Sequence, residues 1–113
     1  MNGIELIAAE RQRQIEQEGW TPEHDDEHDG GCMAVAGACY ALWAASKLTA
    51  QEWWRKQFAF NAQRLWQWDA DWWKPKDPLR DLVRAGALIA AEIDKLQRST
   101  DAKPTDGGKG DGS

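Results

Sequence analysis

The spacing of apolar residues constrains the fold of this chain more than any other feature. Near the C-terminal end these residues alternate three and four positions apart, at Leu79, Leu82, Gly86, Ile89, Ile93 and Leu96. This spacing places all of them on one face of an α-helix. No segment shows the period of two that marks a half-buried β-strand. We therefore predict an all-α fold.

Two earlier segments carry the same helical signal. Residues 3–18 form an amphipathic pattern that ends at Gly19, and Glu10 is among the polar residues turned away from its apolar stripe. Residues 32–47 are rich in alanine, which predicts a central helix that its neighbours can approach closely. The stripe of the first helix comprises Ile4, Ile7, Ala8, Arg11 and Ile15.

Capping signals mark the starts of two more helices. Thr49 and Glu52 have the spacing of a capping box, which predicts a third helix through about Leu65. Asp77 is a suitable N-cap for the last helix, and Pro78 suits its first position. The sequence therefore predicts about four helices.

The remaining segments lack a helical period. Residues 19–31 combine proline, glycine and acids, and residues 68–76 combine aromatics with a proline, so both are predicted as irregular loops. Residues 99–113 are rich in glycine and polar residues and are predicted to be a disordered tail. We expect one compact helical domain over residues 1–98.

Charge and cysteine content exclude several classes of protein. The net charge is −5 and the pI is about 5.0, so we expect no nucleic-acid partner. Cys32 and Cys39 are seven residues apart in one helical stretch, too far for a disulfide. No apolar run is long enough for a signal peptide or a membrane span. We expect a cytoplasmic protein without a membrane partner.

Tryptophan is over-represented, with 8 indoles among 113 residues. A domain of this size cannot enclose that much aromatic area, so some of it is expected to contact a ligand, a partner protein or a second copy in a homo-oligomer. An aromatic set in and just after the third helix is the candidate surface for a partner protein. It comprises Trp53, Trp54, Phe58 and Trp66.

A basic cluster with aromatic neighbours surrounds the start of the last helix. Helix N-termini and cations favour an anion, and the planes of Trp72 and Trp73 favour a flat base, so the cluster suits a phosphorylated ligand. The alternative is that Asp77 occupies the helix terminus and the two indoles fill the core. The cations are Lys74, Lys76, Arg80 and Arg84.

Catalytic signatures are weak. The acidic loop contains histidine and carboxylate side chains, which are common metal ligands, but their spacing matches neither an EF-hand nor a zinc finger. The alternative is that its acids stabilise the N-terminus of the following helix through the helix dipole. A helical nucleotide pyrophosphohydrolase needs converging carboxylates, and the central helix has none. We therefore predict no catalytic residue, cofactor or metal. The loop residues are His24, Asp25, Asp26, Glu27, His28 and Asp29.

Two resemblances cover most of the folded part. Residues 10–26, 38–41, 72–77 and 80–89 resemble a group of small phage and prophage proteins. Residues 11–26 and 77–89 are more remotely similar to the RyR domain, the helical repeat of ryanodine receptors. That similarity implies an α-helical module that binds nucleotide-like ligands or partner proteins. It also implies a module without enzymatic activity. After residue 26 the chain departs from the RyR pattern, supplying two helices in place of a short proline-containing segment. The positions that match are Gly19, Trp20, Asp25, Asp26 and Asp77.

These observations leave three functional hypotheses. The first is a phage-type protein that binds or sequesters a nucleotide-derived molecule in the host cytoplasm, such as a second messenger of host defence. The second is an inhibitor of a host enzyme, and the third is a metal-dependent nucleotide hydrolase that uses the acidic loop. The ligand-binding residues of the first hypothesis are Arg11, Trp20, Thr21, His24, Asp25, Asp26, Tyr40, Trp73, Lys74, Lys76, Arg80 and Arg84.

Overall fold

A computed structural model describes residues 1–27 and 30–102, and this part of the chain is helical except for short connections. The helices are α1 (Gly3–Glu18), α2 (Pro22–Asp26), α3 (Cys32–Leu48), α4 (Glu52–Arg64) and α5 (Pro78–Ala102), and a 3₁₀ turn spans Ala70–Trp72. No strand occurs among the described residues, which confirms the predicted compact all-α bundle with four helices of ordinary length.

Local chemistry fixes several helix ends where the sequence predicted them. Asn2 caps α1 in a capping box with Glu5, and Gly19 ends the helix in the left-handed conformation with a φ of 74°. Asp77 caps α5 by accepting a hydrogen bond from the Arg80 N–H over 2.8 Å. Pro78 occupies the first helical position.

Three predicted details were wrong. Residues 19–31 are not wholly irregular, because Thr21 caps the short helix α2 and Pro22 begins it. The capping box of Thr49 does not form: its N–H bonds the Ala45 carbonyl as the C-cap of α3, and α4 begins after Gln51 without a side-chain cap. The last helix continues past residue 98 to residue 102, and residues 103–113 of the predicted tail lie outside the described residues.

Small residues let α3 lie very close to α5. A Cβ atom built on Gly37 would stand 3.0 Å from the Ala85 carbonyl oxygen and 3.1 Å from a side-chain carbon of Ile89. The core around this approach is formed by Met33, Ala36, Tyr40, Ala85, Leu88 and Ala91. Few of these side chains are bulky, so the bundle has little volume in which to enclose the indoles.

Neither α1 nor α5 buries the whole apolar stripe of the sequence pattern, and on α1 the stripe residues Ile7 and Ile15 are only partly buried. Glu10 and Gln14 are the buried residues of α1, whereas Ile4 is 80% exposed. The prediction that Glu10 points away from the core was therefore wrong, because it pairs with cations inside the bundle. On α5 the bulky members of the stripe are exposed, at Leu79, Leu82, Ile89, Ile93 and Leu96.

None of the helices in the described part of the chain has both the length and the hydrophobicity needed to cross a lipid bilayer.

Candidate ligand-binding cleft

The tryptophans are only partly enclosed. All 8 lie within the described residues, and none of them is fully buried. Trp53 on α4 and Trp72 in the α4–α5 connection are more than half exposed, at 61% and 53%. The excess aromatic area expected from composition is thus present at the surface of the single chain.

Most of the other indoles form one aromatic cluster around Tyr40 of α3. The ring of Tyr40 lies 4.9 Å from that of Trp73 and 5.6 Å from that of Trp66. Trp66 lies 5.4 Å from Trp68 in an edge-to-face contact, and Trp68 reaches Trp20 at 6.2 Å. These geometries are the ones aromatic pairs prefer, so ring contacts hold the α4–α5 connection against α3 and against Trp20 in the α1–α2 connection.

The hydroxyl of Tyr40 fixes the backbone of the same connection. It donates to the Trp72 carbonyl over 3.4 Å and accepts from the Lys74 N–H over 3.1 Å. It also accepts from the Arg84 guanidinium over 3.2 Å. Further along, the Lys76 N–H donates to the buried carboxylate of Asp81 over 2.7 Å. An irregular segment is thereby held in place by α3 and α5.

Two adjoining openings beside this cluster form what we call the tryptophan cleft. Their volumes are about 280 and 340 Å³, and both are lined by Trp20, Trp68 and Trp72. The smaller opening is completed by His24, Asp25, Met33 and Asp69. The larger one is completed by Gln14, Gln17, Glu18, Tyr40, Trp66, Lys74 and Arg84. These volumes lie near the lower end of those of small-molecule sites.

Two cations stand at the larger opening. Lys74 places its ammonium 5.5 Å from the centre of the Trp72 ring. Arg84 lies over the Tyr40 ring at 5.2 Å and donates to the Lys74 carbonyl over 2.9 Å. Neither side chain forms a salt bridge within residues 1–27 and 30–102. Lys74 therefore presents its charge to an anion, and Arg84 does so while its charge also lowers the pKa of the buried Asp81.

A buried amide completes the larger opening. Gln14 is fully buried, and its Nε2 donates to Glu10 over 3.1 Å. Its Oε1 has no hydrogen-bond partner among the described residues. A buried acceptor without a partner costs roughly 1–3 kcal/mol. In a cleft lined by indoles, that oxygen is suited to accept an N–H from a bound base.

Glu10 holds this amide from beneath. Its carboxylate receives two bonds from Arg13, at 2.8 and 2.9 Å, and another from Arg80. Burial by itself raises the pKa of Glu10, but the hydrogen bond from Arg13 and the charges of Arg80 and Arg13 outweigh it, so the pKa lies below 4.5. Glu10 is therefore ionised at neutral pH.

The pKa of the buried Asp81 on α5 is shifted in the opposite direction to that of Glu10. Burial raises its pKa above 3.8, and the hydrogen bond from the Lys76 backbone only partly offsets that effect. One of its oxygens bonds that backbone and the other has no partner in the described chain. Asp81 thus fixes the α4–α5 connection, which carries Lys74. Burying the carboxyl group for this purpose costs free energy of folding.

The structure brings some of the predicted ligand-binding residues to the cleft. Trp20, His24, Asp25, Tyr40, Lys74 and Arg84 line it. Asp25 is paired with Arg11 at 2.7 Å, and Arg11 also bonds the Trp20 carbonyl over 3.2 Å. Arg11 therefore acts as a support for α2.

Other predicted ligand-binding residues have different contacts. Trp73 packs inside the aromatic cluster, and Arg80 pairs with Glu10. Asp26 pairs with Arg98 at 2.7 Å, and Thr21 caps α2. Lys76 does not line either opening.

Eight of the 14 residues that line the cleft are not among the predicted ligand-binding residues. The sequence pattern indicated Trp72 beside the basic cluster, and Trp68 belongs to the same irregular aromatic segment. Gln14 carries no such signal, because a glutamine within an amphipathic helix ordinarily faces water.

The predicted partner surface divides into two parts. Trp53 and Trp54 contact each other at 4.7 Å on α4, and Phe58 stacks on Trp54 at 5.6 Å. Trp66 lies instead in the aromatic cluster and donates its indole N–H to the Asp69 carbonyl over 3.1 Å.

The acidic loop that could supply metal ligands is only partly described. Within residues 1–27 and 30–102, no group of three or more His, Cys, Asp or Glu side chains is placed to share a metal ion. His28 and Asp29 lie outside the described residues. Cys39 is buried in α3, and burial raises the pKa of its thiol, which favours the unreactive protonated form.

Neither a scan of protein-family models nor searches of curated proteins and of solved structures finds a match to this chain.

Removing the charge of Glu10 should destabilise the fold in a pH-dependent way. We expect Glu10→Gln to lower the free energy of unfolding by about 2–3 kcal/mol at pH 7, a value discounted because Arg13 and Arg80 are partly solvated. Since the folded pKa of Glu10 is depressed, its contribution is present above 4.5 and is lost as the pH falls through the folded value. Urea unfolding at several pH values, monitored by tryptophan fluorescence, measures the free energy of unfolding of the variant and of the parent protein.

The matched control is Glu16→Gln, an exposed position on the same helix. It should change the unfolding free energy by less than about 0.5 kcal/mol. Equal effects of the two substitutions, or a loss for Glu10→Gln that persists unchanged in acid, would contradict the buried ion-pair assignment.

Proposed function

We propose that this chain is a non-catalytic binding protein that sequesters a nucleotide-derived small molecule in the tryptophan cleft. One observation carries the proposal. Four indoles, two cations without salt-bridge partners among the described residues and a buried amide oxygen without a hydrogen-bond partner there lie at one opening of suitable size. This combination supplies separate contacts for a base, a phosphate and a donor group on the base.

Each part of a nucleotide has a counterpart in the cleft. The base would stack on Trp68 or Trp72, since base–aromatic stacking contributes about 1–3 kcal/mol per base. The amide oxygen of Gln14 would accept an N–H of the base. The phosphate would bind Lys74 and Arg84 at the outer edge.

The charges around the cleft favour a ligand with little phosphate. Glu18 and Asp25 line the openings, although Arg13 and Arg11 neutralise them at 2.5 and 2.7 Å. The chain also carries a net charge of −5. A monophosphate or cyclic nucleotide therefore fits better than a triphosphate. A phage protein of this kind would act as a sponge for a host-defence messenger in the host cytoplasm.

Calorimetric titration tests the proposal with a panel of adenosine monophosphate, cyclic AMP, cyclic dinucleotides and ADP-ribose. We expect one of them to bind and to be recovered intact. Lys74→Ala should weaken binding about tenfold or more, because a charge-assisted contact to phosphate is lost. Trp72→Ala should weaken it by a similar factor through lost stacking.

Two substitutions serve as matched controls. Lys76→Ala removes a cation from the same loop but outside the cleft, and Trp53→Ala removes an exposed indole on α4. Both should leave the affinity within about twofold of the parent protein. Absence of binding across the panel, or equal losses for the control substitutions, would refute the proposal.

A second candidate function is binding of a host protein through α4. Trp53 and Phe60 are both more than 60% exposed, and Trp54 stacks on Phe58. Exposed aromatics of this kind often act as anchor residues of an interface. Capture of a stoichiometric host protein that is lost on Trp54→Ala but retained on Trp72→Ala would favour this candidate. Capture that is insensitive to Trp54→Ala would remove it.

A further inference from the structure

The exposed side of α5 is an apolar stripe with coiled-coil spacing. Its bulky residues are exposed by between 42% for Ile89 and 63% for Leu79. They follow the alternation of three and four positions that forms the seam between two paired helices. Ile7 of α1 packs against Gly86 at the middle of this seam, and the described chain leaves the bulky residues on either side of that contact exposed. The stripe comprises Leu79, Leu82, Ile89, Ile93 and Leu96.

The two ends of the stripe have different shapes. Beside Leu79 and Leu82 lies an apolar groove of about 480 Å³. Its other walls are Gly3, Leu6, Ile7, Leu48, Pro78 and Val83. At the opposite end, Ile93 and Leu96 project from α5 and are at least half exposed. One end of the stripe is therefore a recess and the other end is a ridge.

We propose that the α5 stripe binds a second copy of this chain, with the two α5 helices antiparallel across a two-fold axis at Ile89. Leu82 and Leu96 are each seven residues from Ile89 in the sequence. An antiparallel pair centred there places Leu82 of one copy opposite Leu96 of the other, twice by symmetry. The ridge of each copy then enters the groove of its partner.

A second copy fits this surface better than a foreign partner because the surface is complementary to itself. The flanking positions on one side of the seam are Val83, Ala90 and Gln97, which carry no charge, and the charged Glu92 on the other side is buried, where it accepts a hydrogen bond from the Ala34 N–H. Two chains of net charge −5 can therefore approach along it without direct repulsion. In an antiparallel pair, the positive end of each helix dipole also lies beside the negative end of the other, which is electrostatically favourable. An isologous contact of this kind closes as a dimer.

The exposed area is adequate for association. The stripe and the exposed Leu48 present on the order of 600 Å² of apolar surface per copy, against about 800 Å² in a standard interface. Arg84, the contribution of α5 to the tryptophan cleft, is two residues from Leu82 and thus nearly opposite to it on the helix. The dimer would therefore leave both clefts open, and it stands independently of the proposed ligand.

Sedimentation equilibrium of the full chain at micromolar concentrations tests the proposal. We expect a mass of about twice 12.8 kDa. Ile89→Glu should weaken the dimer about a hundredfold or more, because the two-fold axis brings two carboxylates together in an apolar seam. Phe60→Glu, at a more exposed apolar position on α4, should leave the mass unchanged. Circular dichroism of both variants checks that the helices are retained.

Charge substitutions test the orientation. Leu82→Lys and Leu96→Glu should each weaken the dimer, whereas the double variant should recover most of the affinity, because the new opposite charges face each other across the antiparallel seam. A monomeric parent chain would overturn the proposal, as would a dimer that Ile89→Glu does not affect. A dimer that the double variant fails to restore would overturn the antiparallel arrangement.

Discussion

The buried carboxylate of Glu10 is the contact on which the arrangement of α1 depends. It collects Arg13 of its own helix, Arg80 of α5 and the amide of Gln14. A buried charge is tolerated only when it is paired and hydrogen-bonded, so these partners fix which side of α1 faces the bundle. Polar residues therefore hold the fully buried positions of α1, while Ile7 is partly buried against Gly86 of α5 and Ile4 is exposed.

The lining of the tryptophan cleft depends on the same orientation of α1. With Gln14 facing inward, an amide rather than an aliphatic side chain lies beneath the indoles of the α4–α5 connection. The small residues of α3 draw α5 close and leave little core volume, so the indoles pack around Tyr40 at the edge of the bundle instead of inside it. The aromatic surplus thereby becomes the lining of an opening.

The sequence predicts the helices well because their signals are local. Gly19 and Asp77 end or begin a helix through their own backbone or side-chain chemistry. The prediction at Thr49 was wrong because α3 extends to this residue, whose N–H bonds the last turn of that helix. The short helix α2, which Thr21 caps, was not predicted because it lies within an acidic segment without an apolar period.

The buried faces could not be predicted from hydrophobicity. On α1 the cations that stabilise Glu10 come partly from α5, far away in the sequence. On α5 the helix packs against Gly37 of α3 through an inner face that holds three buried alanines with Val83 and Leu88, whereas five bulky residues of the predicted stripe are exposed. Of the cleft, the sequence indicated Trp20, His24, Asp25, Tyr40, Lys74 and Arg84. The contact between Gln14 and this group depends on tertiary packing alone.

The most direct test of this account is an NMR titration that follows the indole N–H signals with adenosine monophosphate and cyclic AMP as probes. The account predicts that the signals of Trp68 and Trp72 shift together with that of Trp20, whereas those of Trp53 and Trp54 on α4 stay in place. Shifts confined to the α4 indoles, or no shift of any indole with either probe at millimolar concentration, would contradict it.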